Sequence, residues 1–210
     1  MKNHSFAGKT LVAVPVLLLF AGIGIFLLRS LFMPPEVPLH ATVLPSPAPL
    51  SEFVMLDQDG AEFDRDSFRG RWSMVFFGFT HCPDICPVTL QQLSVARRRM
   101  AEADPDAALP DIVFVSVDPG RDTVETIAQY VRAFGDDVIG VSGDPDELTK
   151  LARTFGVYFN VTPAEGDAYA VEHSAAVVIV NDDAEFHAVF SAPHDVDAFV
   201  HDMSLIIAAK

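Results

Sequence analysis

The chain has 210 residues, a length that fits one ordinary domain plus an appendage. It carries 29 acidic against 14 basic residues, a net charge of −15, yet half of its residues are hydrophobic. That balance argues against a nucleic-acid-binding surface, which needs basic groups to neutralise phosphates, and two cysteines are too few for a disulfide scaffold or a four-cysteine zinc site.

Charge and hydropathy are unevenly spread. No Asp or Glu precedes Glu36, and Lys2, Lys9 and Arg29 are the basic residues before it. The remainder has 11 basic and 29 acidic groups, a charge of −18. Such a surface keeps a domain soluble and away from anionic lipid, and it suits cationic partners or metal ions.

Thr10 to Leu28 is an uncharged run of 19 residues. A helix of that length crosses the roughly 30 Å hydrocarbon core of a bilayer. Lys2 and Lys9 precede the run and only Arg29 follows it closely, which favours a cytoplasmic N-terminus and an exported remainder. The stretch from Arg29 to Pro35 offers no small-x-small cleavage site, so an uncleaved anchor is expected over a signal peptide. Six prolines between residues 34 and 49 then make an extended spacer. The expected organisation is a cytoplasmic N-terminus at 1–9, a transmembrane anchor at 10–32, a proline-rich linker at 33–50 and one domain at 51–210. The expected location is a bacterial inner membrane, single-pass, with the domain in the periplasm.

Phe53 to Phe63 reads as a hairpin turning at Asp59-Gly60. Met74 to Phe79 is a short apolar strand, and Pro87 to Met100 a helix with Pro87 at its first position. Ile112 to Val117 is a second buried strand, followed by a helix from Thr123 to Phe134. A short strand at Val138 to Val141 leads to a helix from Pro145 to Phe155, whose Leu148, Leu151, Ala152 and Phe155 share one face. Ala175 to Val180 is an apolar strand, Asp182-Asp183 turns the chain into Glu185 to Phe190, and a last helix spans His194 to Ile207. Strands alternating with helices imply a parallel sheet covered on both faces, and the late hairpin adds antiparallel strands. The expected class is α/β: a thioredoxin-like fold with an N-terminal transmembrane helix.

Gly78-Phe79-Thr80-His81-Cys82-Pro83-Asp84-Ile85-Cys86-Pro87 lies where the first buried strand meets a helix. Sites in open α/β sheets gather beyond the C-terminal ends of parallel strands. A nearby helix N-terminus favours the thiolate, the form that binds metal or attacks a disulfide. Residues four apart on a helical turn face the same way, so Cys82 and Cys86 are placed for joint metal ligation or, with a modest backbone adjustment, for a bridge. A plain staple closing so short a loop would add little to the fold.

A third ligand has to come from elsewhere. Of seven histidines, His4 precedes the apolar run, His40 lies in the linker, His187 falls on the closing hairpin, and His194 and His201 belong to the last helix. His81 adjoins Cys82 and is expected to point away from a shared site. His173, just ahead of the Ala175 strand, occupies the loop that packs beside the redox turn in a thioredoxin-like topology. Two soft thiolates and one imidazole suit Cu(I), which accepts low coordination numbers. Structural zinc sites normally take four ligands, and iron–sulfur clusters more cysteines.

The segment Phe77 to Pro87 resembles the signature of the Sco (SenC) copper-chaperone family. Phe114-Val115-Ser116-Val117-Asp118-Pro119-Gly120-Arg121-Asp122-Thr123 is similar to that family's second motif, and the His173 segment to its third. The resemblance implies a membrane-anchored chaperone with Cys82, Cys86 and His173 as copper ligands and Asp118 as an acidic residue beside them. It implies delivery of Cu(I), or of Cu(II), to the dinuclear copper site of cytochrome c oxidase subunit II, or reduction of the cysteines there. Val124 stands where many relatives have Pro, a departure that bears on how the following helix starts.

Copper binding needs reduced thiols, and an exported dithiol tends to oxidise. A thiol reductant and an upstream copper donor are therefore expected partners. The rivals are a thiol–disulfide oxidoreductase using Cys82 and Cys86 catalytically, and a copper or redox sensor. The spacing departs from the CxxC of standard thioredoxins. The PxxxTxxC pattern of peroxiredoxins fails at both cysteines.

Overall fold

The apolar runs fold as strands and the amphipathic segments as helices, in a computed structural model that describes residues 18–25, 36–163 and 169–210. Most of the expected anchor, 10–32, lies outside the described residues. Residues 18–25 are helical, with Leu18, Leu19, Phe20 and Ile25 exposed. Among the described residues no helix is long and apolar enough to cross a membrane. Residues 37–210 form one compact unit.

That unit contains β1 (Ala41–Pro49), β2 (Val54–Asp57), β3 (Glu62–Asp64), β4 (Ser73–Gly78), α1 (Ile85–Ala103), β5 (Asp111–Ser116), α2 (Val124–Arg132) and β6 (Val138–Ser142). These are followed by α3 (Pro145–Phe155), β7 (Phe159–Pro163), β8 (Tyr169–His173), β9 (Val177–Val180), β10 (Glu185–Phe190) and α4 (Val196–Ala208). Eight strands form one sheet in the order β1-β10-β9-β4-β5-β6-β2-β3. β4, β5 and β6 run parallel, from Ser73↔Asp111 to Gly78↔Ser116 in the first pair. β9 joins β4 antiparallel, and β2 joins β6 antiparallel. This is the expected parallel centre with antiparallel flanks.

Every residue of β4 and of β9 is buried, so both faces of the sheet centre are covered. Phe76, Phe77, Phe114 and Phe199 are among the fully buried side chains. Each contributes roughly 1.5–3 kcal/mol of burial free energy. α1 packs against α4.

Several boundaries shift by a residue or two, and three departures have a physical reason. The last residues of the expected linker form edge strand β1, paired antiparallel with β10 from Ala41↔Phe190. Pro45 and Pro47 fall where the register slips between Val43 and Ala48, so their missing N–H groups cost no ladder bond. Helix α1 starts two residues early, with Asp84 as its N-cap and Pro87 third rather than first. The first four N–H groups of a helix have no partner within it, so a proline is tolerated there too. His194 precedes α4, whose N-cap is Asp195.

The segment before β9, expected as a loop, contains a separate antiparallel ribbon, β7 with β8. Its register sets Phe159 opposite His173.

Candidate metal centre

β4 ends at Gly78, and the chain turns through Phe79 to Asp84 into α1. Cys82 N donates to Phe79 O at 3.2 Å, which closes the turn. The early start of α1 puts Cys86 in its first turn, pointing inward and fully buried, while Cys82 is half-buried. Gly78 makes room for it. A Cβ at that position would lie 2.9 Å from Cys86 Sγ and 2.9 Å from a Phe114 ring carbon. Both cysteines are free thiols.

His173, the last residue of β8, completes the cluster. Among the described residues, Cys82, Cys86 and His173 form the group whose ligand atoms all lie within 4.8 Å of one another. Cys86 Sγ and His173 Nε2 are 3.4 Å apart. His173 Nδ1 lies 3.1 Å from Ser174 O. A carbonyl oxygen only accepts, so Nδ1 carries the hydrogen and Nε2 presents a bare lone pair to the sulfurs. Phe76 and Phe79 hold the ring by edge contacts, each with centroids 5.9 Å away.

The electrostatics favour a neutral cavity. Burial pushes the Cys86 thiol above its ordinary range, and the hydrogen bond with Cys82 adds to that, against a smaller opposing effect of the Phe79 backbone. The thiolate expected from the helix N-terminus is thus outweighed at Cys86 by desolvation. Burial also lowers His173, partly offset by its bond to Ser174. A cation supplied to this cavity meets two displaceable thiol protons and one neutral imidazole.

Asp118 is buried, and its carboxylate takes Arg121 Nε at 2.5 Å. The Arg121 guanidinium lies 5.8 Å from the centre of the Phe79 ring, which in turn touches His173. Asp118 thus reaches the ligand ring through two intervening side chains. The acid in more direct command of the loop is Asp122, which the sequence reading passed over. It is buried and accepts from Thr80 N at 2.9 Å, Thr80 Oγ1 at 2.6 Å and Ser116 Oγ at 2.6 Å. The signal was its place in the Phe114–Thr123 motif, beside the helix cap Thr123.

His187, His194 and His201 are not part of the cluster. His194 bonds Ala175 O through Nε2 at 2.6 Å, and His201 bonds Asp202 through Nδ1 at 2.7 Å. His187 packs edge-on to Trp72.

The family model described as SCO1/SenC matches residues 44–208. The chain is 36% identical over 159 residues to Protein SCO2 homolog, mitochondrial, of Mus musculus, covering 75% of this chain and 62% of that protein. It is 37% identical over 146 residues to Protein SCO1 homolog 1, mitochondrial, of Arabidopsis thaliana, covering 70% of this chain and 43% of that one. The chain thus spans less than two thirds of the length of either relative. Among solved structures, the crystal structure of Arabidopsis thaliana ScoI with copper bound superposes with a TM-score of 0.72 at 34% identity. That match covers 78% of this chain and 100% of the other.

Proposed function

The chain belongs to the SCO1/SenC family, and from that premise we propose that it carries one copper ion on Cys82, Cys86 and His173. The observation that supports this most is the convergence of two sulfurs and a bare imidazole nitrogen within 4.8 Å. Two soft sulfurs and one nitrogen satisfy Cu(I) at low coordination number, whereas zinc in structural sites takes four ligands. The related Arabidopsis thaliana protein was crystallised with copper. Binding exchanges the two thiol protons for the ion, which turns a costly buried thiolate into a compensated one.

The cargo passes to the dinuclear copper site of cytochrome c oxidase subunit II. A reductant keeps the cysteines as thiols and an upstream donor supplies the ion. Residues 10–32 anchor the protein in a bacterial inner membrane with its domain in the periplasm. Asp118 supports the site by holding Arg121 against Phe79.

A second reading rests on the two free thiols at one turn. In a dithiol reductase the half-buried Cys82 attacks the partner disulfide and Cys86 resolves it.

Titrating the reduced protein with Cu(I) against a chelator separates the two. A carrier binds one ion, and His173→Ala weakens it by about 100-fold or more, since losing a ligand costs at least as much as losing a group behind one, with the thiol titre unchanged. Undiminished affinity in that variant would remove His173 from the ligand set and leave the reductase reading.

A further inference from the structure

His81 is the one histidine beside the cysteines that the ligand cluster leaves out. Its side chain is about half exposed, at 54%. Its Nδ1 lies 3.0 Å from Thr80 Oγ1, which lies 2.6 Å from Asp122 Oδ1. The Asp122 carboxylate only accepts, and it also takes Thr80 N and Ser116 Oγ. The single Thr80 hydroxyl proton is therefore committed to Asp122. His81 Nδ1 must then donate to Thr80 Oγ1, so in the neutral ring Nε2 is the nitrogen left with the lone pair.

Two imidazoles at this site thus share one tautomer, fixed by different partners. His173 is fixed by a backbone carbonyl inside the cavity. His81 is fixed by a hydroxyl–carboxylate pair outside it. His194 has the opposite tautomer, with Nε2–H donating to Ala175 O. The bond from Cys82 N to Phe79 O makes a tight turn, with His81 at its exposed tip next to the more accessible thiol.

We propose that His81 is a transient copper ligand, acting with Cys82 in the intermediate through which the ion enters and leaves the cavity. The inference rests on the carrier reading and adds a path to it. On loading, His81 Nε2 and Cys82 Sγ bind Cu(I) as the donor's ligand departs with its own electron pair. The His81 bond then breaks as Cys86 Sγ and His173 Nε2 bind. Copper remains Cu(I) throughout, no electrons are transferred, and the thiol protons pass to solvent. Unloading runs the same steps backwards. Thr80 and Asp122 are positioning residues, since they set which nitrogen of His81 is bare.

The test uses the full chain loaded with one Cu(I), with transfer to bathocuproine disulfonate followed by stopped-flow absorbance. The equilibrium affinity is measured in parallel. His81→Ala is expected to slow transfer about tenfold or more, the scale on which groups just outside a metal's ligands act, with equilibrium affinity unchanged. Thr80→Val should slow transfer less, and should add nothing in a His81→Ala background. An unchanged rate in His81→Ala overturns the proposal, as does a fall in affinity with faster transfer, which would make His81 a resident ligand. Retained copper affinity in Cys86→Ser or His173→Ala would instead defeat the carrier reading, whatever His81 does.

Discussion

The two halves of the site are held in different ways. The thiol loop is tied into the sheet at several points. It leaves the fully buried β4, it is bonded to Asp122 through Thr80 N and Oγ1, and it runs directly into the 19-residue α1. His173 instead ends a two-stranded ribbon that is separate from the main sheet. A two-stranded ribbon is marginal by itself, and this one is secured by the ring contacts of His173 to Phe76 and Phe79 and by Phe159 and Val171 packing against the core. The sulfurs are thus held by global structure, and the imidazole by a local element. A carrier benefits from that division, because releasing one ligand loosens the ion without opening the core.

Hydrogen exchange should display the contrast most strongly. Amides of β4 and β5 are expected to exchange through global unfolding, and those of β7 and β8 through local opening that is orders of magnitude more frequent. Copper loading should slow the ribbon selectively. Equal protection of ribbon and sheet in the copper-free protein would abolish the distinction.

Substitutions sharpen it further. Asp122→Ala strands Thr80 N and the buried Ser116 hydroxyl, so denaturant unfolding should show a loss of about 1–3 kcal/mol together with weaker copper binding. Val171→Ala in the ribbon should cost about 1 kcal/mol or less of global stability, yet still weaken copper severalfold. Ribbon damage that unfolds the protein as readily as loop damage would place both halves in one cooperative unit.

The smallest effect is on pH dependence. Cys86 titrates higher in the folded protein than in the unfolded chain, so its contribution is complete below the unfolded thiol pKa of about 8.5 and fades as pH rises beyond it. His173 is lowered by burial, so its contribution is present above about pH 6.5 and is lost as pH falls through its folded value. Copper-free stability should therefore sag at both ends of that range. Cys86→Ser should flatten the alkaline side and His173→Ala the acidic side, read by thermal melts across pH.

Wherever the fold was set by local pattern, it was legible beforehand. The hairpin at Asp59-Gly60, the strand expected at Met74 to Phe79 and observed at Ser73–Gly78, and the helix from Pro145 to Phe155 follow from periodicity and turn chemistry. β1 was not legible, because Pro45, Pro47 and Pro49 read as a spacer and only the β10 edge makes a strand of them. The β7–β8 ribbon was missed too, since its strands are defined by pairing with each other.

At the site, the sequence by itself determined that two thiols sit four residues apart where a buried strand meets a helix; their shared direction does not come from a helical turn, because Cys82 lies in the turn closed by its N–H to Phe79 O, ahead of α1 at Ile85. Only tertiary structure decided that His173, 87 residues beyond Cys86, brings Nε2 within 3.4 Å of its sulfur. Local backbone geometry carries no information about so distant an approach. It also decided that Cys86 is a buried thiol with a raised pKa and that Asp122 commands the loop. Desolvation and carboxylate bonding depend on what packs around a group, and that packing exists only once the sheet has closed over it.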